Sequence, residues 1–178
     1  SLESSDINDN CAATRVSPVG FAFNSLGQVM EEAHKSAATT HDSPDAIKGA
    51  QAIASAIFWA RHDRSKDYIK AQIQEQFGYD LSFTLDQIRP SYTFDKSCPG
   101  SVPQAIKAFL ESTDFEDAIR KAVSLGGEST AIACMTGGIA QAFYKNIPDH
   151  LAVNARRLLK PASLQVIDNF AATFGCQS

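Results

Sequence analysis

Apolar residues recur along the chain at three- and four-residue intervals, and no alternating run is long enough to demand a sheet. Leu26, Val29, Met30, Ala33 and Ala37 fall on one face of a helix, and Phe115, Ala118, Ile119, Ala122 and Val123 on one face of another. Both segments are expected to be amphipathic and half-buried. Two others depart from that pattern. Ala50 to Ala60 (AQAIASAIFWA) and Thr130 to Tyr144 (TAIACMTGGIAQAFY) are small or apolar on nearly every side. They predict central helices enclosed by others, with alanines and glycines letting neighbours approach closely.

Start signals agree with a helical chain. A Ser/Thr-x-x-Gln/Glu capping box pairs Ser25 with Gln28, Thr84 with Gln87, Ser101 with Gln104, and Thr113 with Glu116. A fifth start places Ser43 as cap before Pro44, whose missing amide is harmless in the first turn. Gly78, Pro90 and Gly126 read as stops, and Pro148 and Pro161 as breaks that punctuate the end. With no repeat, low-complexity tract or linker in view, residues 1–178 are expected to form one all-α domain.

Composition narrows the partners. The chain has 178 residues, 44% of them hydrophobic, enough for one core. A formal charge of -4, a pI near 5.5 and scattered lysines and arginines leave no surplus for a phosphate backbone, so no nucleic-acid partner is expected. No apolar run approaches the roughly 20 residues of a membrane span, and the first ten residues lack the pattern of a signal peptide. The expectation is a protein of the cytoplasm with no membrane partner. Cys11, Cys98, Cys134 and Cys176 stand far apart with no C-x-x-C pair, and are expected to be reduced thiols.

Three polar stretches are candidates for chemistry. Gly126-Gly127-Glu128-Ser129-Thr130 sits at the mouth of the second all-apolar segment, where a carboxylate and hydroxyls can cap exposed amides or hold a hard cation. Both readings use the same atoms. Asn8 to Gly20 reads as a polar loop running into a Ser-Pro-Val-Gly turn, with Arg15 free to pair with a carboxylate or phosphate, or to pin the loop to a helix. His41 and Asp42 precede a capped helix start that attracts anions. A catalytic His41–Asp42 pair is disfavoured because sequence neighbours rarely face one another. His34, His62 and His150 read as surface residues.

The segments RVSPVGFAF, THDSPDAIKGAQAIASAIF, FGYDLSFTLDQIRPSYTFD, SCPGSVPQAIKAFLESTDFEDAIRKAVSLGG and AIACMTGGIAQAFY, in that order, closely resemble the ADP-ribosylglycohydrolase family. The resemblance runs from about Asn10 to Phe170. It implies an all-α orthogonal multi-helix bundle, a binuclear magnesium centre, and release of ADP-ribose from modified side chains. It also implies that this chain lacks the family's N-terminal helices, which carry about half of the metal ligands. A self-associated state, or a partner covering the face so exposed, is therefore expected.

Matched to the family's Gly-Gly-Asp-Ser-Asp-Thr, Glu128 takes the first aspartate position, Thr130 the second and Ala131 the threonine position. Glu128 and Thr130 are thus degenerate metal positions, and magnesium is expected to bind weakly or not at all. The family's Gly-Asn-Gly appears as Asp9-Asn10-Cys11, where added side chains would obstruct a phosphate. Asn10, Arg15 and His41 keep family positions and are the expected ligand-binding residues. Three functions follow from the resemblance. The first is a degenerate member retaining recognition of ADP-ribose or an ADP-ribosylated protein. The others are an active hydrolase completed by ligands from elsewhere, and a scaffold with no nucleotide site.

Overall fold

Local capping chemistry sets most helix starts in the computed structural model, which describes residues 9–175. Among these residues the chain forms α1 (Cys11–Arg15), α2 (Ser17–Ala22), α3 (Leu26–Ala38), α4 (Pro44–Arg61), α5 (Lys66–Phe77), α6 (Leu85–Ile88), α7 (Cys98–Leu110), α8 (Phe115–Ser124), α9 (Ser129–Tyr144), α10 (Asp149–Arg157) and α11 (Pro161–Phe174). No strand occurs among them, only an antiparallel bridge between Asp9 and Ser97. Cys176 and the first eight residues, with most of the stretch read for a signal peptide, lie outside the described residues.

Ser25, Ser43 and Thr84 cap α3, α4 and α6 by accepting the amides of Gln28, Ala46 and Gln87, as their spacing predicts. Only Thr84 has both halves of the capping box; the Gln28 side chain bonds the Ser25 hydroxyl instead. Two predicted starts are wrong. Ser101 lies inside α7, which begins a turn earlier, where Ser97 accepts the Gly100 amide. Asp114, not Thr113, caps α8 through the Asp117 amide. Pro148 and Pro161 open α10 and α11 rather than closing what precedes them. The supposed loop and turn from Asn8 to Gly20 is largely the short helices α1 and α2. Gly78 does end α5, in the left-handed conformation.

α4 and α9 form the centre, as their all-round apolar character predicts. α4 packs against α1, α2, α3, α5, α7 and α9, and α9 also meets α7 and α8. Ile53, Ile57, Ile132, Met135 and Ile139 are fully buried between them and their neighbours. The buried Thr136 hydroxyl donates to the Ala105 carbonyl at 2.9 Å, tying α9 to α7. At the far end of α9, Lys66 of α5 donates to the Tyr144 hydroxyl and the Leu110 and Ser112 carbonyls, over the rings of Phe109, Phe143 and Tyr144. That node fixes one end of the bundle. The polar loops are left to gather at the other, around the α9 entrance.

Candidate functional site

The α9 entrance is shaped by two residues of left-handed backbone, Gly126 (φ 72°) and Gly127 (φ 56°), which turn the chain sharply out of α8. A Cβ at Gly127 would lie 2.8 Å from the Thr93 carbonyl oxygen, so the turn lies directly on the 89–97 loop. Glu128 follows at the N-cap position with no side-chain capping bond. Capping by the bracket's carboxylate is therefore not realised. Glu128 is half-buried, Thr130 exposed and Ala131 buried. The Tyr92 hydroxyl donates to the Gly100 carbonyl at 2.7 Å. Burial and the charges of Asp95 and Glu128 push that phenol up to about 12.

Beside it, a cleft of about 310 Å³ is lined by Tyr92, Asp95, Gly100 and Gln104. Gln104, expected to complete a capping box, instead buries its Oε1 without a hydrogen-bond partner among the described residues.

The three predicted ligand-binding residues are brought together, but each is engaged by the protein. Asn10 is buried, its Nδ2 donating to the Ser101 hydroxyl at 3.0 Å and its amide to the Lys96 carbonyl at 2.8 Å. Arg15 Nη2 donates to the Ser36 carbonyl at 2.7 Å and to Thr40 Oγ1 at 2.6 Å. It thus pins α1 to the end of α3 through hydrogen bonds rather than through a carboxylate. Thr40 Oγ1 lies 2.6 Å from His41 Nδ1, and His41 Nε2 lies 3.0 Å from Asp9 Oδ1. Arg15, Thr40, His41 and Asp9 form one hydrogen-bonded chain. Asp42 has no part in it, in keeping with the disfavoured His41–Asp42 pair.

Asp9 and Cys11 are the residues that local spacing did not single out, because their partner His41 lies thirty positions away and is placed by the α3–α4 connection. The Cys11 amide donates to Asp9 Oδ1 at 3.0 Å. The thiol, the Asp9 carboxylate and His41 offer ligand atoms all within 4.8 Å of one another. Burial opposes the Asp9 charge, but the Cys11 hydrogen bonds and the nearby His41 and Lys96 outweigh it and hold the carboxyl below its ordinary range. Burial pushes the Cys11 thiol up, helped by Asp9 and Glu128 and opposed by Arg15. α1 packs against α9, where Cys134 Sγ donates to the Thr14 carbonyl at 3.4 Å.

Among the described residues no helix is long and apolar enough to cross a membrane. Comparison with known proteins matches residues 2–175 to the ADP-ribosylglycohydrolase family. An uncharacterized protein of Archaeoglobus fulgidus is 32% identical over 158 residues, the match covering 80% of this chain and 52% of that one. A solved structure described as an ADP-ribosylglycohydrolase-related protein complex is similar at 26% identity and a TM-score of 0.64, over 80% of this chain and 53% of the other. The chain thus spans about half the length of these relatives. The matched span, the all-α bundle and the shared fold establish that the chain belongs to the ADP-ribosylglycohydrolase family.

Proposed function

We propose that this chain is an ADP-ribose-recognising member of the family whose own residues do not hold a binuclear magnesium centre. The donor set at the α9 entrance carries this reading. Two magnesium ions in near-octahedral oxygen shells need several anionic or neutral oxygens from the protein. Here Glu128 supplies a carboxylate, Thr130 at most a hydroxyl and Ala131 nothing. The group of three clustered His, Cys, Asp or Glu ligands found among the described residues excludes Glu128. The donors present do not fit the family's metal pair.

Recognition of an ADP-ribosyl group is supported by Arg15 and by the start of α9. Arg15 is exposed beside the Thr40–His41 pair. The amides at the start of α9 have no cap from the Glu128 side chain, and a helix N-terminus of that kind favours anionic oxygens. Calorimetry with ADP-ribose, with and without magnesium, tests the reading. Binding at equal affinity in both conditions, without turnover, is the expected result; absence of binding overturns it.

A second reading rests on the coverage of 52% and 53% of the relatives' lengths. In it the remaining magnesium ligands come from another segment or chain, and the whole assembly hydrolyses ADP-ribosyl bonds. Magnesium that tightens ADP-ribose binding tenfold or more, on the order of 1.4 kcal/mol, would select this reading.

A further inference from the structure

We propose that Asp9, Cys11 and His41 form a site for a single zinc ion, bound through one carboxylate oxygen, one thiolate sulfur and one imidazole nitrogen, with the fourth position left to water. The proposal goes beyond nucleotide recognition and does not depend on it. Two of its residues, Asp9 and Cys11, flank Asn10 in the short stretch that leads into α1. His41, from a different part of the chain, completes the set.

The ligand atoms are already gathered. His41 Nε2 and Asp9 Oδ1 are 3.0 Å apart, and all three ligand atoms lie within 4.8 Å. Tetrahedral zinc with ordinary bond lengths places its ligands about 3.4–3.6 Å apart, so the His41–Asp9 pair must open by a few tenths of an ångström and a pair near the 4.8 Å limit must close by about 1 Å. Mixed nitrogen, sulfur and oxygen donors suit zinc and disfavour magnesium, which takes oxygen alone. One carboxylate and one thiolate balance the two positive charges. The Cys11 proton leaves to solvent as the sulfur–zinc bond forms.

The supporting contacts hold these ligands in place. The backbone of Asp9 is bridged to Ser97, and its carbonyl accepts from Cys98 Sγ at 3.4 Å. The His41 amide donates to the Ala37 carbonyl at 2.8 Å, and its Nδ1 meets Thr40 Oγ1. With zinc on Nε2, the ring proton resides on Nδ1 and is donated to Thr40 Oγ1, whose second lone pair accepts from Arg15. Asp9 and His41 are 17% and 10% exposed, while Cys11 faces solvent, which gives the ion a way in.

The test uses the full chain, free of affinity tags, stripped with chelator and kept reduced, then titrated with zinc alone or cobalt alone. One equivalent of cobalt is expected to give a thiolate-to-metal charge-transfer band that zinc abolishes, and zinc is expected to raise the melting temperature. Cys11→Ser and Cys11→Ala should both remove the band, and Cys11→Ala, which offers no ligand atom, should also weaken zinc binding. Cys134→Ser, at another exposed thiol, should leave it unchanged. Thr40→Val, which removes the positioning contact to His41, should weaken zinc by about tenfold with the band retained. A wild-type chain without the band, or a Cys11→Ala chain that binds zinc as tightly as wild type, overturns the proposal. Circular dichroism of the stripped variants separates lost ligation from lost fold.

Discussion

Gly20 lies where α2 crosses α4 with no room for a side chain. A Cβ there would stand 2.6 Å from Ile57 Cβ and 2.8 Å from the Ala54 carbonyl oxygen, and the backbone atom cannot rotate away. Gly20→Ala is expected to destabilise the fold by about 1–3 kcal/mol, read as a lower urea midpoint with an unchanged slope. Ser101 carries a different kind of burden. Its hydroxyl donates to the Ser97 carbonyl and accepts from buried Asn10, so Ser101→Ala strands the Asn10 amide and should cost about 1–3 kcal/mol. Asn10, Arg15 and His41 were legible as a group only through the family resemblance. Their hydrogen bonds to Ser101, Ser36 and Thr40 were not, because those partners are set by how α1, α3 and α7 pack.

Helix elements were legible wherever one strong pattern stood alone. The apolar faces of α3, α4 and α9 and the caps at Ser25, Ser43 and Thr84 needed no tertiary information. Ser101 misled because Gln104 stands three positions on at capping-box spacing, whereas Ser97 caps α7 and both Ser101 and Gln104 lie inside it. Thr113 misled because Asp114, the next residue, is an equally good cap and wins. The two are separable by experiment: Asp114→Ala should cost about 1 kcal/mol. The start of α8 should also respond to acid. Asp117 bonds Lys121 and accepts from the Thr113 amide, and against some opposition from burial these hold its carboxyl below the ordinary range. A carboxyl depressed in the folded state stabilises above its unfolded pKa, and that contribution is lost as the pH falls through the folded value. Urea midpoints taken between about pH 5 and about pH 3 should therefore fall more steeply for wild type than for Asp117→Asn.

At the scale of the whole molecule, the one contiguous core is built from the first nine helices, while α10 and α11 bury none of their residues completely. Val153, Leu158, Val166 and Ile167 remain substantially exposed, Leu158 at 87%. A cavity of about 250 Å³ lined by Phe115, Ile147, Leu151, Leu159 and Ile167 runs beneath them. Each such side chain gains about 1.5–3 kcal/mol on full burial, so several together favour association. Most of the large apolar residues left exposed among the described residues lie on this C-terminal pair and the turn that joins it, Tyr68, Phe94 and Val123 lying elsewhere, which makes it the surface that a second copy or a partner is expected to cover. Sedimentation of the wild-type chain at micromolar concentration should show a concentration-dependent species larger than the monomer. Leu158→Glu with Val166→Glu should return it to a monomer of nearly unchanged melting temperature, because neither side chain belongs to the core. A wild-type chain that stays monomeric at every concentration and without a partner would mean that this pair of helices is stable while bare.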